Sequence, residues 1–473
     1  MAREWIILIT LVVYKLVLVW IGLWASRRTQ DSSDFFIGGK QLGPWVAAVS
    51  ASASASSAWS LLGVSGAAFT MGLSAIWIFP AVVLGYIFNW YWLAPRVRRY
   101  ANQQEAITLS EVVAGKDQWR KAILGFASFA IVFSFAFYIA AQFQAAGSTF
   151  AANFDVSITE AIVTGAVIIL VYTLLGGFWA VSVTDTLQGL LMAAIAFLLP
   201  ILAVTQAGGP SVIYQSLISN GGELYGNFAG ASAIGFVVGM LGIGLGNPGQ
   251  PHVVNRFMAL RDDKALKSAA RIGVAWPVIV FAGMLTVGWC ARVLIPTDAN
   301  AEQVMLALTE MLFHPVVAGI IVAAVLSAIM STADSQLLVS AACLAQDLQL
   351  AKGRNALTLS RLAVVAMCVL ALVIALFAPE AIFSRVLFAW AAIGSAFAPV
   401  LIWLVAGYQI DGRYRLAAMM LGFGLTIVFN WQANAPGDVL ERVLPFVVAL
   451  VVARIGAVKR AEKGSGAEVS APR

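Results

Sequence analysis

Two aspartates stand in apolar sequence with no lysine or arginine near them: Asp185 in AVSVTDTLQGLL and Asp334 in SAIMSTADSQLLVS. A carboxylate at mid-bilayer costs about 2.5–3.5 kcal/mol on insertion scales, so it faces protein or water and takes a partner. Around Asp334, Ser331 and Ser335 are spaced i and i+4, Thr332 is adjacent, and Asp334 itself is i+3 from Ser331. On a helix this spacing sets a carboxylate and hydroxyls on one face. Oxygen ligands without imidazole or thiolate suit a hard cation. The other reading is a protonated aspartate hydrogen-bonded across helices or, for Asp185 above all, a position near the interface. His252 and His314 are the only histidines, so a histidine-based metal site is not expected. Cys290, Cys343 and Cys368 are odd in number and lack C-x-x-C spacing, which suits buried apolar residues better than ligands or a disulfide framework.

Two further stretches break the apolar pattern. SASASASSAWS, residues 50–60, carries six serines and no charge, proline or glycine. Serine and alanine let helix backbones approach closely, so packing is one explanation. The other is an unwound stretch with freed carbonyls beside a cavity. GMLGIGLGNPGQPHVVNRF, residues 239–257, crowds glycines around Pro248 and Pro251. Two prolines with interleaved glycines exceed what one kink needs and predict a discontinuous helix.

The elements that must hold these residues are membrane helices. Hydrophobic residues make up 61% of the 473 and charged residues 11%, against about 25% charged in soluble domains. Thirteen apolar runs are long enough to span a bilayer, at about 5–25, 43–69, 73–95, 121–150, 158–176, 182–206, 230–255, 272–296, 315–346, 358–378, 383–407, 414–432 and 438–456. The first run is too long for a signal-peptide core and reads as a retained span. Twenty-four lysines and arginines, Arg256 among them, fall on alternate connections and the tail; four fall on the other side, and Lys15 snorkels or meets a partner helix. The positive-inside rule then puts the N-terminus outside and the C-terminus in the cytoplasm. One transporter domain over 1–457 is expected, followed by a disordered cytoplasmic tail, 458–473. A broken helix early and another five spans later is the pattern of inverted-repeat transporters, with repeats at about 43–206 and 230–407 and binding near the midplane. No filter-like loop supports a channel, and no G-x-S-x-G or H-E-x-x-H supports a hydrolase, so the chain is not read as an enzyme.

The segments DFFIGGKQLGPW (34–45), ITLSEVV (107–113), TLLGGFWAVSVTDTLQ (173–188), GQPHVVNRFMA (249–259) and AIMSTADSQLLVSAACLAQDL (328–348) resemble, in this order and spacing, the sodium:solute symporter family, and within it the bacterial sodium/proline symporter branch. The resemblance implies an all-α polytopic fold of LeuT-like inverted five-helix repeats, each with a broken first helix, one helix before them and two after. It implies uptake of a small organic solute driven by sodium in a bacterial inner membrane, with no organic cofactor. By position, Ala53, Ser56, Ala328, Ser331 and Thr332 match one sodium site, and Asp185, Ser331, Asp334 and Ser335 a second that some relatives have. Ser57, Ala58, Trp59, Tyr138, Ile243, Asn247 and Pro251 fall at the solute pocket.

The departures from that pattern bear on the substrate. Proline symporters carry an aspartate where Ala55 stands, and two pocket aromatics where Ile243 and Asn247 stand. Proline, another amino acid or a small carboxylate therefore remain candidate solutes. Proton coupling through Asp185 or Asp334 and a transporter-like sensor remain the alternatives. The expected partners are the solute and the lipid bilayer, with no nucleic acid and no protein partner.

Overall fold

In a computed structural model, residues 2–26, 42–175, 178–219, 223–344, 356–378, 381–432 and 435–459 are described. The helices are α1 (Ala2–Ser26), α2 (Pro44–Ala55), α3 (Val64–Met71), α4 (Ile78–Ile87), α5 (Ala94–Gln104), α6 (Leu109–Ala114), α7 (Arg120–Asn153), α8 (Ile158–Leu175), α9 (Phe178–Gln206) and α10 (Pro210–Ser219). They continue as α11 (Gly230–Gly242), α12 (Pro251–Met258), α13 (Asp263–Leu294), α14 (Val304–Leu312), α15 (Pro315–Ala342), α16 (Ala356–Phe377), α17 (Ile382–Val405), α18 (Gly412–Gln432), α19 (Val439–Arg442) and α20 (Leu444–Ile455). In hydrocarbon a helix satisfies its own backbone, which is why apolar runs of this length take no other form. Among the described residues, nine helical stretches are long and apolar enough to cross a membrane.

Local signals set several helix starts. Thr108 accepts from the Glu111 amide at 3.1 Å, while the Glu111 carboxylate accepts from the Ile107 amide at 2.9 Å, a reciprocal cap opening α6. Asp262 accepts from the Ala265 amide at 2.6 Å and opens α13. The helix turn at Gly72 needs φ +60°, open to glycine at little cost.

Burial separates core helices from lipid-facing ones. The apolar windows of α15 and α17 are 83% buried, so these two helices form the centre. Trp20, Phe197, Leu362 and Val369 are exposed on α1, α9 and α16, as side chains facing lipid are. α2 packs against α9, α12, α13 and α15. The start of α2 is tied to the end of α12: the Leu42 amide donates to the Ala259 carbonyl at 3.0 Å and the Arg261 amide to the Leu42 carbonyl at 3.3 Å. Arg98 reinforces that junction by donating to the Leu260 and Arg261 carbonyls, each at 2.9 Å.

Three expectations need correction. Arg96, Arg98 and Arg99, read as a connection after residue 95, lie on α5, because the helix runs on through the Phe88–Leu93 turn to Gln104. The tail does not begin at residue 458: Ala457–Lys459 (β2) pairs antiparallel with Tyr408–Ile410 (β1), which satisfies backbone groups a free tail would expose. The rest of that tail, the DFFIGGK portion of the 34–45 motif and the side chain of Lys15 lie outside the described residues. Arg256, a loop charge by its place in the sequence, is 1% exposed. It belongs to the site.

Candidate functional site

The serine-rich stretch is a helix that stops inside the protein. α2 ends at Ala55, and Ser56 leaves helical geometry at φ −97°, ψ 85°. No glycine or proline lies between residues 45 and 62, so neighbours define the break. The Ala58 amide donates to Gln142 Oε1 at 3.0 Å, and the Trp59 amide to Ser57 Oγ at 3.1 Å. Tyr138 Oη donates to Ser57 Oγ at 3.3 Å, and Trp276 Nε1 to Ser56 Oγ at 2.8 Å. At the end of α2 the Ser56 amide donates to the Ala53 carbonyl at 3.1 Å, and α15 adds further partners to these last carbonyls. Ser331 Oγ lies 3.2 Å from the carbonyls of both Ala53 and Ala328, and Thr332 Oγ1 donates to the Ser54 carbonyl at 3.0 Å. Thus Ala53, Ala328 and Ser331 share one point, and Thr332 on α15 meets Ser54, one residue further along α2. The Ser56 hydroxyl is turned to Trp276 instead. Every oxygen in this set is neutral.

The second break is built from local sequence. α11 ends at Gly242, a tight 3₁₀ stretch covers Ile243–Gly249, and α12 begins at Pro251. Glycine is required where it crosses α17: a Cβ on Gly246 would lie 2.2 Å from Trp390 Cδ1. Gln250 Nε2 spans the gap, donating to the Gly246 carbonyl at 3.0 Å and the Trp390 carbonyl at 3.1 Å.

Between the breaks is a cavity with about 330 Å³ of empty space, lined by Ala55, Trp59, Val82, Tyr86, Tyr138, Ile243, Asn247, Phe281, Val386, Leu387 and Trp390. Trp59, Tyr138, Ile243 and Asn247 line it as expected from sequence; Ser57, Ala58 and Pro251 are buried beside it without lining it. No lining residue is charged, and five are aromatic. The cavity that Ile243 and Asn247 line nevertheless keeps aromatic residues, supplied by Tyr86, Phe281 and Trp390 from other helices. Nothing in their apolar surroundings distinguishes those residues in sequence.

The two aspartates meet at a buried cation. Arg256 Nη2 pairs with Asp185 Oδ2 at 2.7 Å, with side chains 1% and 0% exposed. The same guanidinium donates to Ser335 Oγ, Ser50 Oγ and the His252 carbonyl, each at 2.7 Å, and its Cζ lies 5.5 Å from the Phe178 ring centroid. Ser50 Oγ also donates to Asp185 Oδ2 at 2.9 Å. Ser335 Oγ in turn donates to Asp334 Oδ1 at 3.4 Å. Three of the four expected second-site residues, Asp185, Asp334 and Ser335, are thus gathered around Arg256, while Ser331 faces α2. Asp185 Oδ1 and Asp334 Oδ2 are buried without partners among the described residues. A signal for Arg256 did exist in sequence: intramembrane carboxylates require a counter-charge, and this arginine lies one residue beyond an expected span end.

A helical membrane protein whose two interrupted helices flank a small central cavity has the architecture of a secondary transporter. The model of the sodium:solute symporter family matches residues 35–422, and the chain belongs to that family. The chain is 33% identical over 470 residues to the osmoregulated proline transporter of Bacillus subtilis, covering 95% of each chain. It is 33% identical over 449 residues to the sodium/proline symporter of Escherichia coli, covering 90% of this chain and 88% of the relative. The fold matches that of a Na+-coupled sialic acid symporter solved in a substrate-bound outward-open state, with a TM-score of 0.80 at 16% identity over 96% of this chain and 99% of that one. A nucleobase-cation-symport-1 family transporter in a closed conformation has the same fold at TM-score 0.57 and 14% identity, covering 89% and 94%.

Proposed function

We propose that this symporter couples inward sodium movement to uptake of a small solute of no net charge, with proline first among the candidates. The observation that carries the reading is the uncharged, aromatic-walled cavity lined by Ala55 at the end of α2, the helix whose Ala53 and Ser54 carbonyls meet Ser331 and Thr332. A hard monovalent cation suits the oxygens of Ala53, Ala328, Ser331 and Thr332, and Ser56 would contribute its carbonyl. The cavity suits an apolar ring, which the faces of Trp59, Tyr86, Tyr138 and Trp390 would hold. The buried indole N–H of Trp59 has no partner among the described residues, so a solute carboxylate would satisfy it. The bound sodium adds a positive charge beside that carboxylate, which removes the need for a cationic side chain in the cavity.

The proposed cycle is alternating access. Sodium would bridge α2 and α15, the solute would dock between the breaks, and the junction of Leu42 with Leu260 and Arg98 would open to release both. Gln188, one turn beyond Asp185, and Gln336, beside Ser335, are buried with both amide ends unpartnered among the described residues. Such groups gain water when an inner path opens. Thirteen spans with the N-terminus outside and the C-terminus in the cytoplasm complete the reading, and reporter fusions at the connections test it.

The decisive experiment is radiolabelled uptake into proteoliposomes with a panel of amino acids and small carboxylates, with sodium replaced by potassium and with an imposed proton gradient. The reading expects L-proline uptake that requires sodium. Sodium-independent uptake, or uptake restricted to anionic solutes, would overturn it.

A further inference from the structure

The buried charges beside the carbonyl cluster do not balance. Asp185 and Asp334 contribute two carboxylates, and Arg256 contributes the one guanidinium that pairs with either of them among the described residues. Four of the five N–H groups of Arg256 are engaged, by Ser50, His252, Asp185 and Ser335, and it reaches Asp334 only through the Ser335 hydroxyl. Asp334 therefore has no ion-pair partner among the described residues, and its Oδ2 is buried there without a hydrogen bond. An uncompensated buried carboxylate is costly, and it is relieved either by protonation or by an opposite charge brought beside it. One helical turn away, Ser331 sits 3.2 Å from the carbonyls of Ala53 and Ala328. That cluster has oxygens for a cation and no charge of its own.

We propose that Arg256 sets the sodium stoichiometry by acting as a tethered cation: it cancels Asp185 and leaves Asp334 as the counter-charge for a single sodium at the carbonyl cluster. The proposal deepens the sodium-site reading and rests on it. It also accounts for the absence of an acidic residue at Ala55. The carboxylate that balances the ion comes from α15 instead of α2. With Arg256 in place, Asp185 Oδ2 and Ser335 Oγ of the second set are already held by the guanidinium at 2.7 Å, and a second sodium is excluded by charge as well as by space.

Direct binding of 22Na+ to purified full-length protein, counted per chain, tests this without a solute. Wild type is expected to bind one sodium. Arg256→Gln leaves two uncompensated carboxylates and is expected to bind two, with the sodium titration becoming cooperative. Asp334→Asn removes the counter-charge while keeping Arg256 and is expected to weaken binding by about tenfold or more. Arg256→Gln combined with Asp185→Asn restores the net charge and is expected to return binding to one sodium per chain. That double variant controls for folding, because it removes both members of the pair. Two sodium ions on the wild type, or one on Arg256→Gln at wild-type affinity, would overturn the proposal and leave the sodium site standing. No sodium on the wild type would overturn both.

Discussion

The two helix breaks reach a similar shape by opposite routes. In the second, Gly244, Gly246, Pro248, Gly249 and Pro251 forbid a continuous helix by themselves. In the first, every residue from Ala47 to Ser60 tolerates a helix, and the break is held by Gln142, Ser331 and Thr332 on backbone groups and by Tyr138 and Trp276 on the hydroxyls of Ser57 and Ser56. A break held by partners can respond when a partner changes; a break written into local sequence cannot. On the proposed sodium reading, the difference would give ion sensing to α2 and the fixed wall of the cavity to the Ile243–Gly249 stretch.

That contrast can be broken at several points. The largest effect is expected at the crossing of the rigid break with α17. Gly246→Leu should abolish folded protein, because even a Cβ would stand 2.2 Å from Trp390; Gly246→Ala should cost at least about 1–3 kcal/mol, read as thermal stability in detergent. Next comes Ser331→Ala with Thr332→Val, which removes both α15 hydroxyls from the α2 carbonyls. It should raise the half-saturating sodium concentration by about tenfold or more while leaving uptake near normal at saturating sodium. An unchanged sodium dependence would remove α2 from the ion site.

A smaller effect is expected from Gln142→Leu, which strands the Ala58 amide at a cost of about 1–3 kcal/mol. Amide exchange should then rise at residues 53–60, and sodium should protect that segment in wild type but not protect residues 243–250. Equal protection of both breaks would erase the distinction drawn between them. The smallest change should follow Pro248→Ala: with several other breakers in place, half-saturating solute should move by no more than about twofold.

Much of the site was legible, for reasons that differ between residues. Asp185, Asp334 and the crowded glycines around Pro248 are costly in a bilayer or in a helix, so their presence advertises a purpose. Ser50–Ser60 was ambiguous, since serine serves both packing and unwinding; only the partners on α7, α13 and α15 separate the two. Tyr86, Phe281 and Trp390 were invisible, because an aromatic facing a cavity and one facing lipid look alike in a run of apolar residues. Arg256 was misplaced because a charge near a span end is ordinarily solvated, and its actual depth depends on where α12 lies.

The sequence alone determined the membrane-spanning helical class, the locally encoded second break and the pair of carboxylates needing compensation, because each follows from the cost of placing a polar group or a proline in a hydrocarbon-spanning helix. The tertiary structure decided which groups meet: that Arg256 pairs with Asp185, that Ser331 closes on the Ala53 carbonyl, and that aromatic faces surround the cavity. Those choices join residues from 71 to 278 positions apart. No local propensity carries information across such separations; the packing of α2, α9, α12 and α15 does.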